Sequence, residues 1–348
     1  MTDGDKNVSE PPERGPMDQF SAHIDRGWDL VHRGDLPGAQ KSAEKSVELD
    51  ASSPEAHNLL GFVTAAMGDA EAALEHYREA IALDDSFVEA MLNAAEVLIH
   101  PVHDFEAAVD MVEDALEWAE GDEEVADALL LKFDAYMHQG DREHAAKVLA
   151  TLPEGEFESG RVEFLIGRAF FESGNAEAAA PRLTRAASLE PDNPDVHYYL
   201  GLAHDALERS DDATVEFLRA RELDLLMPPA HWALPVAHFE RLVQRAIDRL
   251  SDDHKVVIDG ALVIISDAPG PEVVAEGVDP RAGVLLDALS KEQEPPRARR
   301  IFVYQRNVER LSEGVAELEA DLLALLEAEM GVAFPALAPK PAEDVPDP

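Results

Sequence analysis

The sequence predicts a mainly α chain: an α-solenoid of paired helices over residues 20–226, then a small α+β domain over residues 231–335. Three observations predict it. Small residues recur at a 34-residue spacing, at Gly27, Gly61 and Ala95 and again at Gly167 and Gly201. Gly-Asp or Gly-Asn pairs fall between them in a constant register, as at Gly68-Asp69 and Gly174-Asn175. The period then stops after Leu225-Leu226-Met227-Pro228-Pro229, where short apolar runs and turn-rich stretches take over.

In chain order, residues 1–19 are polar and acidic and carry Pro11, Pro12 and Pro16. They lack the basic start and apolar core of a secretory signal and are expected to be disordered. About six repeat units follow. The second carries Leu60-Gly61, Gly68-Asp69, Ala73, Tyr77 and Ala80, the fifth Gly167, Gly174-Asn175, Ala179, Leu183, Ala186 and Pro191, and the sixth Leu200-Gly201, Asp211, Ala213, Phe217 and Ala220. Small residues at the eighth and twentieth positions let two antiparallel helices approach closely, and glycine accepts the positive φ of the turn between them. An ending such as Asp50-Ala51-Ser52-Ser53-Pro54 closes one unit, and proline is tolerated in the first turn of the next. The third unit is interrupted near His100-Pro101-Val102-His103 by one extra residue, and in the fourth Phe133 replaces the small eighth residue. The segment from Leu152 to Gly160, with Pro153 and Gly155, is expected to relax the stacking of units four and five.

This pattern resembles the tetratricopeptide repeat. The resemblance implies a superhelix with a concave docking face, lined mainly by positions two, five, nine and twelve of each first helix. In the fifth unit these are Arg161, Phe164, Arg168 and Phe171; in the sixth, Asp195, Tyr198, Leu202 and Asp205. Arg161, Phe164, Arg168, Phe171, Tyr198 and Asp205 are therefore the candidate partner-binding residues, since exposed rings beside charges suit interfaces. Packing between helices is the alternative for Phe164 and Phe171. Positions five and nine of the first three units are Ile24, Trp28, Asn58, Phe62, Leu92 and Glu96. With no lysine there, a clamp for a terminal carboxylate is not expected, and the protein or peptide partner is expected to be apolar or basic.

The chain has 348 residues, 29 Lys plus Arg against 72 Asp plus Glu, and a formal net charge of −43. Such a surface repels phosphate backbones and anionic headgroups, so nucleic acid and membrane are not expected partners. No apolar run approaches the ~18 residues of a membrane span, and a cytoplasmic location is the default expectation. Absence of cysteine removes disulfides, thiol nucleophiles and thiolate zinc sites. No Gly-rich phosphate loop and no Gly-x-Ser-x-Gly elbow occurs. His100, His103 and Asp104 form the tightest knot of possible metal ligands in the repeats and are read as surface or packing residues.

In the C-terminal domain, Phe239, Leu242, Val243, Ala246, Ile247 and Leu250 make one apolar stripe of a helix. Ala261-Leu262-Val263-Ile264-Ile265 reads as a buried strand, Ile301-Phe302-Val303-Tyr304 as a second, and Val315 to Gly331 as an amphipathic helix. The Phe239-x-x-Leu242-Val243 helix, the run Ile265-Ser266-Asp267-Ala268-Pro269, Pro271-Glu272, and Ile301 to Arg310 resemble the minimal zincin-like metallopeptidases over residues 236–335. The resemblance implies H-E-x-x-H on the last helix, two histidines four apart on one face gripping one zinc. Its register puts Ala328, Glu329, Val332, Pro335 and Ala338 on the His, Glu, His, Gly and Asp positions. All three implied ligands are thus lost, at Ala328, Val332 and Ala338, and no cofactor is expected. Glu329 is a vestige without the metal that would activate water, and reads as a solvated or hydrogen-bonded helix residue. The sequence thus points to a non-catalytic protein–protein interaction scaffold or adaptor with a pseudo-metallopeptidase domain. The alternative is a zinc-dependent metallopeptidase with an altered or mis-registered site; a third reading has the domain only cap the solenoid. Residues 336–348 are expected to form a disordered tail.

Overall fold

The computed structural model describes residues 16–287 and 297–335, which form seventeen helices and three strands. The expectations for residues 1–15, for Ala338 and for the tail at 336–348 fall outside the described residues. The chain divides into two compact units, residues 1–175 and 176–348. Among the described residues no helix is long and apolar enough to cross a membrane.

The first unit contains α1 (Pro16–His32), α2 (Leu36–Leu49), α3 (Pro54–Ala66), α4 (Ala70–Leu83), α5 (Val88–Ile99), α6 (Phe105–Trp118), α7 (Asp122–Gln139), α8 (Arg142–Leu149) and α9 (Gly160–Glu172). Helix α1 begins inside the segment 1–19. The turns between paired helices divide their labour between two residues. Gly68 takes φ +91°, which an L side chain rarely adopts, while the Asp69 carboxylate accepts from the Ala72 amide and caps α4. Asp35, Asp104 and Asp141 cap α2, α6 and α8 in the same way. The small eighth residue is required by what packs on it. A Cβ at Gly61 would lie 2.7 Å from the ring of Tyr77, itself buried in the core of the pair. In the fourth repeat Phe133 fills the corresponding position, fully buried with Leu130, Ala145, Leu149 and Ile166. The extra residue of the third repeat is taken up by a cis His100–Pro101 bond and by His103 at φ +60°.

The stretch before α9 is anchored at one point. Phe157 is buried in the same core as Phe133, and its amide donates to the buried Glu163 carboxylate at 2.7 Å. A buried aromatic and a satisfied amide hold the segment down despite its proline and glycine.

The second unit contains α10 (Ala176–Leu189), α11 (Pro194–Ala206) and α12 (Ser210–Leu226), then α13 (Val236–Arg249), α14 (Asp252–Ile258), β1 (Leu262–Ser266), α15 (Pro271–Ala275), β2 (Val284–Asp287), β3 (Arg300–Tyr304), α16 (Gln305–Leu311) and α17 (Leu318–Ala333). The two compact units therefore divide before α10. Gly201 repeats the logic of Gly61: its Cβ would come within 2.5 Å of the Phe217 ring. The three strands form one sheet in the order β1-β3-β2, β1 parallel to β3 with Leu262 opposite Arg300, and β2 antiparallel with Val284 opposite Val303. Leu318, Leu322, Leu326 and Met330 of α17 make a fully buried stripe against Phe239, Leu242 and Ala246 of α13 and Ile301 and Val303 of β3. The two expected strands form, the first shifted by one residue and the second starting one residue earlier, and the last helix runs from Leu318 to Ala333 rather than Val315 to Gly331. Strand β2 and helices α14, α15 and α16 had not been foreseen; at four to seven residues they are too short to show a period.

Candidate functional site

In the first unit, equivalent positions of successive first helices reach one another. Trp28 and Phe62, both at position nine, have ring centroids 5.2 Å apart. Asn58 Nδ2 donates to Glu89 Oε1 at 3.1 Å, and Asn93 Nδ2 donates to Asn58 Oδ1 at 3.0 Å. Arg161 reaches Asp127, 34 residues earlier, at 2.6 Å. Arg168 reaches Asp134, again 34 residues earlier, at 3.5 Å, and lies 3.6 Å from Glu172. One face thus presents half-buried Trp28, Phe62, Leu92 and Phe164 beside a run of carboxylates.

The electrostatics of that face centre on Asp134. Burial pushes its carboxyl above the ordinary range; the Arg168 and then the His138 charge oppose this, while Glu172 and Glu96 reinforce it. Arg161 and Arg168, expected to meet a partner, are here each engaged with an aspartate of the preceding repeat. Phe164 and Phe171 are half-buried.

In the second unit the expected docking residues of the sixth repeat are held by the chain's own C-terminal module. The Tyr198 hydroxyl donates to Asp279 at 2.9 Å, and the Arg281 guanidinium lies 4.3 Å from the Tyr198 ring centroid. Arg281 pairs with Asp195 at 2.7 Å and with Asp224 at 2.9 Å. Arg310 pairs with the same two carboxylates, at 3.2 and 2.5 Å. Two arginines and two aspartates form a closed, charge-balanced ring. Burial, then Asp279, pushes the Tyr198 phenol up. Asp279 and Arg281 use the Tyr198 hydroxyl and ring face within the chain. Asp205 is exposed. Beside the ring, Arg306 donates to the Leu225 and Met227 carbonyls and Arg221 to the Pro269 carbonyl at 2.5 Å. These residues line a cavity of about 540 Å³ between α11, α12 and the module.

On α17, Ala328 and Val332 are exposed, Val332 to 78%. Glu329 is half-buried, and its Oε1 accepts from the Leu286 amide of edge strand β2 at 3.1 Å. Burial, then the charges of Asp287 and Glu329, pushes the Tyr304 phenol up. Among the described residues no group of three or more His, Asp or Glu is arranged to hold a metal ion. The knot at 100–104 resolves into ring packing, with His100 edge-on to His138 at 4.6 Å and His103 beside Phe105 at 6.0 Å.

Sequence reasoning missed Asp127 and Asp134, which the 34-residue register would have placed beneath Arg161 and Arg168. It also missed Asp224, Asp279, Arg281 and Arg310, for which no local pattern exists.

A family model described as tetratricopeptide repeat matches residues 24–86, and a second, described as TPR repeat, matches residues 167–207. No curated protein matches the chain. Among solved structures, one from the functional characterization of Pseudomonas aeruginosa pilF is 18% identical, covers 60% of this chain and 94% of its own, and superposes with a TM-score of 0.50. The type IV pilus biogenesis factor PilW is 15% identical over 58% of this chain and 92% of its own, with a TM-score of 0.49. YrrB, described as a TPR protein with an unusual peptide-binding site, is 19% identical over 52% of this chain and 91% of its own, with a TM-score of 0.38. The family models and the first of these likenesses establish that the chain carries tetratricopeptide repeats in a mainly helical fold. Tetratricopeptide-repeat proteins act as protein–protein interaction scaffolds and bind protein or peptide partners.

Proposed function

We propose that this protein is a non-catalytic interaction scaffold whose first-helix face in the first unit takes an extended protein segment bearing basic and apolar side chains. The observation that carries it is Asp134. A half-buried carboxylate among Glu96 and Glu172, with Arg168 no nearer than 3.5 Å, has its charge under-compensated, and a partner's Lys or Arg would supply the missing cation. Trp28, Phe62 and Leu92 offer apolar area on the same face, with rigid rings that bury surface at low entropic cost.

The C-terminal module, on this reading, is a degenerate zincin-like domain retained for its structure. Support comes from the exposed Ala328 and Val332, which have no lone pair for a metal, and from Glu329, committed to the β2 edge. The ring of Arg281, Arg310, Asp195 and Asp224 clasps the module to the last repeat, which suits the capping role.

The test is fluorescence anisotropy with arrays of labelled peptides, Lys/Arg-rich against Asp/Glu-rich at equal hydrophobicity. Basic peptides should bind, more weakly as salt rises, and Asp134→Asn should weaken them by about tenfold, near 1.4 kcal/mol. Equal binding of acidic peptides, or indifference to Asp134→Asn, would sink the reading.

A further inference from the structure

Position four of the first helix and position twenty-three of the second face each other within a repeat, and three repeats carry histidine at position four: His23, His57 and His197. The first has Ser42 at position twenty-three and so offers no second ring. In the sixth, His197 Nε2 donates to the Pro191 carbonyl at 3.0 Å, and Nδ1 donates to the Glu216 carboxylate at 2.6 Å. In the second, His57 is oriented by the equivalent bond, Nε2 to the Ala51 carbonyl at 3.1 Å. A carbonyl only accepts, so the proton is on Nε2 and Nδ1 of the neutral ring carries the lone pair. That Nδ1 is buried, in a side chain only 9% exposed, and meets no hydrogen-bonding group among the described residues. The residue that would answer it, equivalent to Glu216, is His76.

The ring centroids of His57 and His76 stand 6.1 Å apart with planes inclined by 35°. Zinc–nitrogen bonds of about 2.0–2.1 Å place two ring centroids about 5 Å apart at a tetrahedral angle and about 6 Å apart at a wider one. The observed separation is too long for a direct hydrogen bond between the rings and about 1 Å beyond the tetrahedral spacing, a gap that half-exposed His76 can close by rotating. We infer that His57 Nδ1 and a ring nitrogen of His76 form a two-histidine site for a borderline divalent cation of the zinc, nickel or copper class, completed by water.

Two features of the site fit that ligand. A metal-binding histidine usually donates its other N–H to a carbonyl or carboxylate, and the Ala51 carbonyl fills that role. Two imidazoles without a thiolate suit zinc, copper or nickel rather than the oxygen-seeking calcium and magnesium. The site lies on the α3–α4 pair and is independent of both the peptide-binding reading and the lost ligand positions of α17.

The experiment is zinc titration of the full-length, untagged protein, read by calorimetry and by NMR of the histidine side chains. One equivalent of zinc is expected to shift the His57 and His76 resonances together and to raise the melting temperature. His76→Ala, at a half-exposed helix position, should fold with an unchanged apo melting curve and lose that equivalent and that upshift. His57→Gln, whose amide can still donate to Ala51, should lose them too. Lowering the pH below 6 should release the metal. Zinc binding that survives His76→Ala undiminished, or His57 and His76 signals that stay fixed at saturating zinc, would overturn the inference.

Discussion

Replacing Arg281 by alanine should uncouple the C-terminal module from the last repeat more than any other single change. The Arg281 side chain is 14% exposed and that of its partner Asp224 is 13% exposed. Removing one member of a buried ion pair costs about 3–5 kcal/mol because the surviving charge remains desolvated. Here Arg310 still reaches Asp224 at 2.5 Å and Asp195 at 3.2 Å, which places the loss at the lower end. The lost stacking on Tyr198 at 4.3 Å adds about 0.5–1 kcal/mol. A total near 3–4 kcal/mol corresponds to more than about a hundredfold in an opening equilibrium. Hydrogen exchange by mass spectrometry reads this locally: amides of β1 and β3 should lose protection by that factor, while α3 and α4 of the first unit serve as an internal control. Arg281→Lys should recover little, since an ammonium cannot span two carboxylates and stack on a ring at once. Adding Asp224→Asn to Arg281→Ala should restore part of the loss by removing the stranded charge. A change below about fivefold in the single variant would refute the claim that this ring holds the module.

Substitutions at two further positions probe other side chains. His197 donates from both ring nitrogens, so its folded form is the imidazolium; the Glu216 hydrogen bond, with the Pro191 carbonyl and the Glu216 charge, raises its pKa, while burial and Arg219 oppose. A raised folded pKa gives stability that is fully present below the unfolded value near 6.5 and is lost as pH rises through the folded value. Melting temperatures from pH 6 to 9 should therefore fall in the wild type, whereas Glu216→Gln should start about 1.5 kcal/mol lower at pH 6 and show a flatter profile; parallel profiles would contradict the assignment. Glu329→Gln keeps an acceptor for the Leu286 amide and should cost less than about 1 kcal/mol in urea unfolding, whereas Glu329→Leu strands that amide and should cost about 1–3 kcal/mol. Equal costs, or a hydrolytic activity abolished by Glu329→Gln alone, would return Glu329 to a chemical role.

The repeats were legible because their packing is written at fixed offsets. Gly61 must be small since Tyr77 occupies the space a Cβ would take, and Gly68 and Asp69 serve the left-handed turn and the cap. Such constraints are local and recur, so a single chain displays them several times. The short pieces of the module were not legible, since β2 has four residues and α15 five. The fate of the sixth repeat was also hidden. Tyr198 meets Asp279 from 81 residues away and Asp224 meets Arg281 from 57, separations at which no periodicity links the partners. The register assigns residues to positions of the first helix and is silent on which of them the chain itself engages.

Packing positions and face positions in these repeats obey separate rules, and the separation explains why one scaffold carries unlike chemistries. At position nine, Trp28 meets Phe62 in one pair of repeats while Asp134 meets Arg168 in another. At position twenty-three, His76 meets the position-four histidine as a second ring in one repeat, and Glu216 meets it as a carboxylate in another. None of these choices disturbs the eighth or twentieth residue, so the face can change without a cost to the core. Charge narrows what the face can hold. The chain has 72 acids against 29 bases, and Arg161, Arg168, Arg281 and Arg310 are already engaged with aspartates of the chain itself. The field around the first-helix face is therefore set by carboxylates, which accelerates the approach of a cationic segment and repels an anionic one. Selectivity by charge then precedes any contact, and Asp134 is where the first contact would be most strongly rewarded.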